Sequence, residues 1–138
     1  MIKRAATVLC VVMSCAAAHA QTYPSRAVRL VVPYVPGGGT DFTARVIAPK
    51  LSEALGQQVV VENRPGGGTN IGSDLVAKAA PDGYTLLMAG AANAINMSLY
   101  AKLPYDTLRD FAPVSLSVKG ANVLLVHPSL PEIGRAHV

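Results

Sequence analysis

Val28-Arg29-Leu30-Val31-Val32-Pro33-Tyr34-Val35-Pro36-Gly37-Gly38-Gly39-Thr40-Asp41 is the stretch that decides the fold. Val28 to Val32 is β-branched and apolar, which predicts a buried strand. Pro33 to Gly39 follows as a Pro/Gly loop. Thr40 is a suitable helix N-cap, and Asp41 puts a negative charge on the first turn, where the helix dipole favours it. Phe42, Val46, Ile47, Leu51, Ala54 and Leu55 then recur at helical spacing, and Gly56 is a natural stop. Pro49 lies inside this helix and lacks a donor, so a kink or break is expected near Arg45.

The same unit then returns. Gln58 to Glu62 carries Val59-Val60-Val61 and predicts a second buried strand. Pro65-Gly66-Gly67-Gly68-Thr69-Asn70 matches Pro36 to Asp41 in all but the last residue. Asn70 opens a shorter helix through Ile71, Leu75, Val76 and Ala79, which Pro81 ends. Asp82-Gly83 makes a turn, and Tyr84 to Met88 is a third strand. Gly90 to Asn96 is small and polar and reads as a loop, with a short helical piece over Met97 to Tyr100. Pro113 to Val118 and Asn122 to Val126 read as two more strands. Strands alternating with helices give an α/β fold, a mostly parallel sheet with flanking helices.

The paired glycine loops are the candidate site. Both join a strand to a helix N-terminus, at the end of the sheet where α/β folds bind ligands. Glycines there let the backbone approach a ligand, and the helix behind adds positive dipole character. Each loop is thus an anion cradle of main chain, sized in pairs for a molecule with one or two carboxylates. A single such loop would be read as a tight turn. Neither is a phosphate loop, because no Lys follows the glycines. Neither is a dinucleotide fingerprint, because Phe42 and Ile71 stand where the third glycine belongs. Asp41 serves either the helix N-terminus or a ligand ammonium or hydroxyl. Arg64 is either a solvated charge or a partner for a ligand carboxylate.

Other chemistries find little footing. No His pair has metal-ligand spacing, Ser25, Ser52, Ser73 and Ser98 have no visible base partner, and no Gly-x-Ser-x-Gly elbow occurs. No catalytic residue, metal or cofactor is expected. Cys10 and Cys15, the two cysteines, sit in the first twenty residues. There Lys3 and Arg4, an uncharged run from Ala5 to Ala18, and Ala18-His19-Ala20 have the layout of a secretory signal peptide cut before Gln21. A lipoprotein processed at Cys15 is the minor alternative. Removing residues 1–20 takes Lys3 and Arg4 and no acid, so the +4 of the whole chain becomes +2. The remaining Lys and Arg are scattered rather than clustered, which argues against nucleic acid as a partner.

Several motifs in order resemble one family. They are Val31-Val32-Pro33-Tyr34, Val61-Glu62-Asn63-Arg64-Pro65, Ala79-Ala80-Pro81-Asp82-Gly83-Tyr84-Thr85-Leu86-Leu87, and Leu103-Pro104-Tyr105-Asp106 before Asp110-Phe111. From about Tyr23 to Pro131 the chain resembles the Bug family, the substrate-binding proteins of tripartite tricarboxylate transporters. The resemblance implies a two-lobed periplasmic binding protein fold, of which residues 21–131 would be the first lobe, incomplete, with no enzymatic role. It implies a small organic acid as ligand, such as a di- or tricarboxylate, an amino acid or an aromatic acid. Membrane transporter subunits would be the partners, and the protein would be a monomer. Carried over, the binding positions are Pro36, Gly37, Gly38, Gly39, Thr40 and Asp41, then Gly66, Gly67, Gly68, Thr69 and Asn70. Asn93 is the polar candidate in the loop after the third strand, where relatives often carry a hydroxyl residue and a His. A sensor subunit binding the same solutes is an alternative, and a periplasmic hydrolase or transferase a weaker one. Glu132 to Val138 resembles a translated DNA-sequencing adapter, so 132–138 is expected to be a non-native tail.

Overall fold

A computed structural model describes residues 23–120. Three strands form one parallel sheet: β1 (Val28–Val32), β2 (Val59–Asn63) and β3 (Thr85–Leu87), in the order β2-β1-β3. Helix α1 (Gly39–Leu55) links β1 to β2, and α2 (Asn70–Ala77) links β2 to β3. A further helix, α3 (Ala91–Leu99), follows β3.

With β1 central, the crossover through α1 and the crossover through α2 run in opposite directions. Right-handed connections then put the two helices on opposite faces of the sheet. Packing follows that rule. Val28, Leu30 and Val32 alternate along β1 onto one face, where they form the core with Ala44 and Ala48 of α1 and with Val59 and Met88. Val31 points the other way and is fully buried. The small α1 residues let the helix backbone lie close on the strands, and Ile47, Leu51 and Leu55 fill the flanks.

Gly56 ends α1 in the left-handed conformation expected of a C-terminal stop. Three expectations need correction at the helix termini and loops. The helix starts at Gly39 with Gly38 as N-cap, so Thr40 is already inside it and caps nothing. Asp41, at the third helical position, does that work by reaching back to the Gly37 N–H at 2.9 Å. The helix also runs unbroken through Pro49. Arg45 and Pro49 both lie on the exposed side, so the carbonyl that Pro49 leaves without a donor can bond to water.

The third correction concerns Gly90 to Asn96, expected as a loop. Ala91 to Leu99 is helical, with Gly90 as its N-cap. Ala, Met and Leu are strong helix formers, and the asparagines among them face partners rather than competing for their own backbone.

The expected strand over Pro113 to Val118 is absent: this segment is in no strand, and Val114, Leu116 and Val118 are largely exposed. Its period-2 alternation marks a face, but a strand also needs a neighbour to complete its hydrogen-bond ladder. Here the segment meets the end of β3 through a long contact from Ser117 Oγ to Met88 Sδ, 3.9 Å. The expected strand at Asn122 to Val126, the signal peptide of residues 1–20 and the tail of 132–138 lie outside the described residues.

The lead-in to β1 is fastened to the entrance of β3. Tyr23 Oη donates to the Gly83 carbonyl, the Ser25 N–H donates to Tyr84 Oη, and Arg26 pairs with Asp82 at 3.0 Å. The Arg26 guanidinium also stacks 4.3 Å from the centre of the Tyr84 ring.

Candidate functional site

The sheet brings three loops to one end. Arg64 donates its N–H to the Val32 carbonyl and Met88 donates to the Val31 carbonyl, both at 2.8 Å. The chain therefore leaves all three strands at the same level, the end at which this class of sheet binds ligands. An open cleft of about 470 Å³ lies there. Pro33, Tyr34 and Val35 line it from the first loop, Pro65, Gly66, Gly68 and Thr69 from the second, and one face of α3 from the third.

The two glycine loops enter this site differently. In the first, Gly37 alone is left-handed, and Pro36 to Thr40 do not line the cleft. Beneath it Asp41 is buried, 3% exposed. Its carboxylate accepts from Arg45 Nε at 2.9 and 3.1 Å, from the Gly37 N–H, and from Asn63 Nδ2 at 2.8 Å. The Arg45 guanidinium, then the Gly37 N–H and the Asn63 amide, lower its pKa to about 2. A carboxylate so engaged braces its own loop, which favours the helix-terminus reading of Asp41. Arg64 is likewise engaged, paired with Glu62, whose other partner is Arg29. Arg29 first, then Arg64, holds the Glu62 carboxyl below its ordinary range.

In the second loop Gly66, Gly67, Gly68 and Thr69 all have positive φ, with values of 125°, 56°, 63° and 82°. Gly67–Thr69 forms a single 3₁₀ turn before α2. A β-branched residue in that region is a true outlier, and such strain persists only when neighbours hold it. Here the holder is Asn96 on α3. Its Nδ2 donates to the Gly68 carbonyl at 2.7 Å and to Asn70 Oδ1 at 2.8 Å, and lies 3.3 Å from Thr69 Oγ1. Tyr105 Oη donates to the same Asn70 oxygen at 2.8 Å, and Ser73 Oγ donates to the Thr69 carbonyl.

Of the positions named from sequence, the structure thus brings Gly66, Gly68 and Thr69 onto the cleft, with Gly67 between them and Asn70 just behind. Asn93 does not reach it. It is buried, accepting from the Gly90 N–H and donating to Ser73 Oγ at 2.7 Å. Reading 90–96 as a loop hid the relevant residue. Once the segment is a helix, Ala92, Ile95, Asn96 and Leu99 share one face at i, i+3, i+4 and i+7, and Asn96 becomes the polar group over the second loop. Tyr34 and Tyr100 were missed for another reason: their positions depend on close approach to Gly90 and Gly68, which leave room for the two hydroxyls. Among the described residues, no group of His, Cys, Asp and Glu is placed to hold a metal ion.

Comparison with known proteins agrees with this architecture. The TctC family model, tripartite tricarboxylate transporter family receptor, matches residues 43–134. BugT of Bordetella pertussis is 47% identical over 113 residues, which cover 80% of this chain and 35% of BugT. A UPF0065 protein of the tcbD-tcbE intergenic region in a Pseudomonas strain is 49% identical over 104 residues, 75% of this chain and 31% of its own. The chain therefore spans about a third of the length of these relatives. Among solved structures, MatC of Rhodopseudomonas palustris with bound malate is similar at a TM-score of 0.59. It is 42% identical, over 67% of this chain and 32% of MatC. A periplasmic transporter is similar at 0.55 and 44% identity, over 63% of this chain and 30% of that one.

Proposed function

Because the chain belongs to the tripartite tricarboxylate transporter receptor family, we propose that it captures a small organic acid in the periplasm and presents it to membrane transporter subunits. It does so as a monomer and leaves the solute chemically unchanged. The observation that carries the reading is the convergence of all three strand-end loops on one cleft, with a run of left-handed glycines at its floor. Main-chain donors and helix N-termini suit a carboxylate because they offer positive character at fixed positions without a mobile charge. The malate held by the related MatC supports a carboxylate as the solute class.

In this reading Gly66 to Asn70 make the principal contact. Gly39 and Thr40 add the free N–H groups of the first turn of α1, Asp41 positions that loop, and Asn96 braces the second loop from α3. Export follows cleavage between Ala20 and Gln21.

The test is calorimetry of the full-length protein against a panel of organic acids, with the mixture analysed afterwards by NMR. Saturable binding with the acid recovered intact is expected. Conversion of the acid to product would replace this reading with the periplasmic hydrolase or transferase.

A further inference from the structure

Asn96 has a polar atom that the bracing of the second glycine loop does not use. The residue is 3% exposed and lines the cleft. The Gly68 carbonyl can only accept, so the atom 2.7 Å from it is the amide nitrogen, which fixes the way the carboxamide faces. Both amide hydrogens are then used, on the Gly68 carbonyl and on Asn70 Oδ1. Asn96 Oδ1 is left with no donor among the described residues, and it is not sealed from solvent. Buried polar side chains ordinarily have their atoms paired, so an acceptor kept open at a cleft calls for a partner.

Tyr100 stands one turn further on, and its N–H donates to the Asn96 carbonyl at 3.0 Å. The two side chains reach neighbouring carbonyls of the same loop, Asn96 that of Gly68 and Tyr100 that of Gly67. The Tyr100 contact is 3.5 Å, longer than the roughly 2.5–3.0 Å of a formed O–H···O bond, so this hydroxyl is still free to donate. An open acceptor and an open donor thus stand beside the main-chain cradle. No residue lining the cleft is charged at neutral pH, and the Asp41 carboxylate is engaged by Arg45, Gly37 and Asn63.

We infer that Asn96 and Tyr100 are specificity-determining residues of this site: Asn96 Oδ1 accepts from, and the Tyr100 hydroxyl donates to, a hydroxyl that the solute carries beside its carboxylate. The solute is then a hydroxy acid rather than an amino acid or an unsubstituted acid. The inference rests on the solute-capture reading above and deepens it. A hydroxyl is both donor and acceptor, which matches this pair, whereas an ammonium has only donors and needs an acid to offset its lost hydration. A plain methylene at the same place would leave Asn96 Oδ1 without water and without a partner. The place is next to the carboxylate because both side chains rest on Gly67 and Gly68, the residues of the cradle itself.

Calorimetry of the full-length protein with succinate, malate and aspartate tests this, because the three diacids differ at one carbon, which carries hydrogen, hydroxyl or ammonium. Malate should bind about tenfold or more tighter than succinate, the factor that one unpaired buried acceptor exacts. Aspartate should also bind more weakly than malate, since its ammonium finds no carboxylate. Tyr100→Phe keeps the ring and should reduce the preference for malate over succinate by about threefold or more, with the melting temperature without ligand unchanged. Asn96→Ala should remove most of the preference. Both acids then lose whatever the loosened loop costs, and the ratio of their affinities cancels that loss. Succinate or aspartate binding as tightly as malate overturns the inference while solute capture stands. So does a preference left unchanged in either variant. A lowered melting temperature of ligand-free Tyr100→Phe also overturns it, because the hydroxyl would then serve the fold. Binding of none of the three acids overturns the inference, and solute capture falls with it only when the wider panel of organic acids fails as well.

Discussion

Pro36 to Thr40 and Pro65 to Thr69 are the same five residues in the same order, each between a strand of one sheet and a helix. The first turns directly into α1 at Gly39, while the second passes through four left-handed residues before α2 begins. The sixth residue helps explain the divergence. Asp41 accepts from its own loop and from Arg45 one turn on, so the first loop is braced by neighbours in sequence and by Asn63. Asn70 offers its oxygen to Asn96 and Tyr105, so the second loop is braced by residues that come later in the chain. A glycine run supplies permission for a backbone path, and its partners choose the path.

The joint between the loops is the most sensitive place to test this. A Cβ at Gly72 of α2 would sit 2.7 Å from the Arg64 carbonyl and 2.8 Å from Pro33 Cβ, between the second loop and the first. Gly72→Ala should cost about 3 kcal/mol by overpacking, read by urea unfolding of the full-length protein. A neutral substitution would mean that the loops are not held together there. Next comes Asn96→Ala, which strips the Gly68 carbonyl of its donor and Asn70 Oδ1 of one, at about 2 kcal/mol. In amide NMR spectra it should shift Gly66 to Asn70 and leave Gly37 to Asp41 in place; equal shifts in both would erase the distinction.

Glycine substitutions should then rank the loops directly. Gly68→Ala forces a side chain into left-handed backbone beside Tyr100 Oη and should cost about 1–2 kcal/mol. Gly38 has φ of −77° and meets only the Val35 carbonyl, at 3.5 Å, so Gly38→Ala should stay within about 0.5 kcal/mol. Comparable losses at both positions would contradict the described conformations.

Asp41→Asn tests the brace of the first loop through its pH dependence, since a buried carboxylate there meets a half-exposed Arg45. Asp41 is lowered from 3.8 to about 2, so its ionised form is favoured by folding. The stability gap between wild type and variant should be full above pH 3.8 and shrink as pH falls toward about 2. A gap unchanged across that window, in melting temperatures measured against pH, would mean that the carboxylate charge is not what braces the first loop.

Where the signal was local, the sequence was sufficient. Val28 to Val32 carries its own strand pattern, Gly56 its own stop, and the alternation of strand and helix its own fold class. The miss at Ala91 to Leu99 arose because Ala and Asn are common in both loops and helices, and the Asn93 and Asn96 partners lie about twenty residues or more away in sequence. Alternation over Pro113 to Val118 was legible too, but pairing is a property of two segments. The strain at Thr69 was invisible for the same reason: nothing in Gly-Gly-Gly-Thr distinguishes the second copy from the first until Asn96 and Tyr105 are in place.

The clasp of Tyr23, Ser25 and Arg26 onto Asp82, Gly83 and Tyr84 has a consequence for the order of assembly. Among the described strands β1 is the first made and the middle one, yet one of its edges stays open until β3 arrives. The clasp closes over the whole span between them, so it adds nothing while β3 is still missing. Such long-range closure is entropically late and slow. A chain emerging from a ribosome or a membrane pore would therefore stay uncommitted until Tyr84 is free, and would then gain its central strand and its fastened end in one cooperative step.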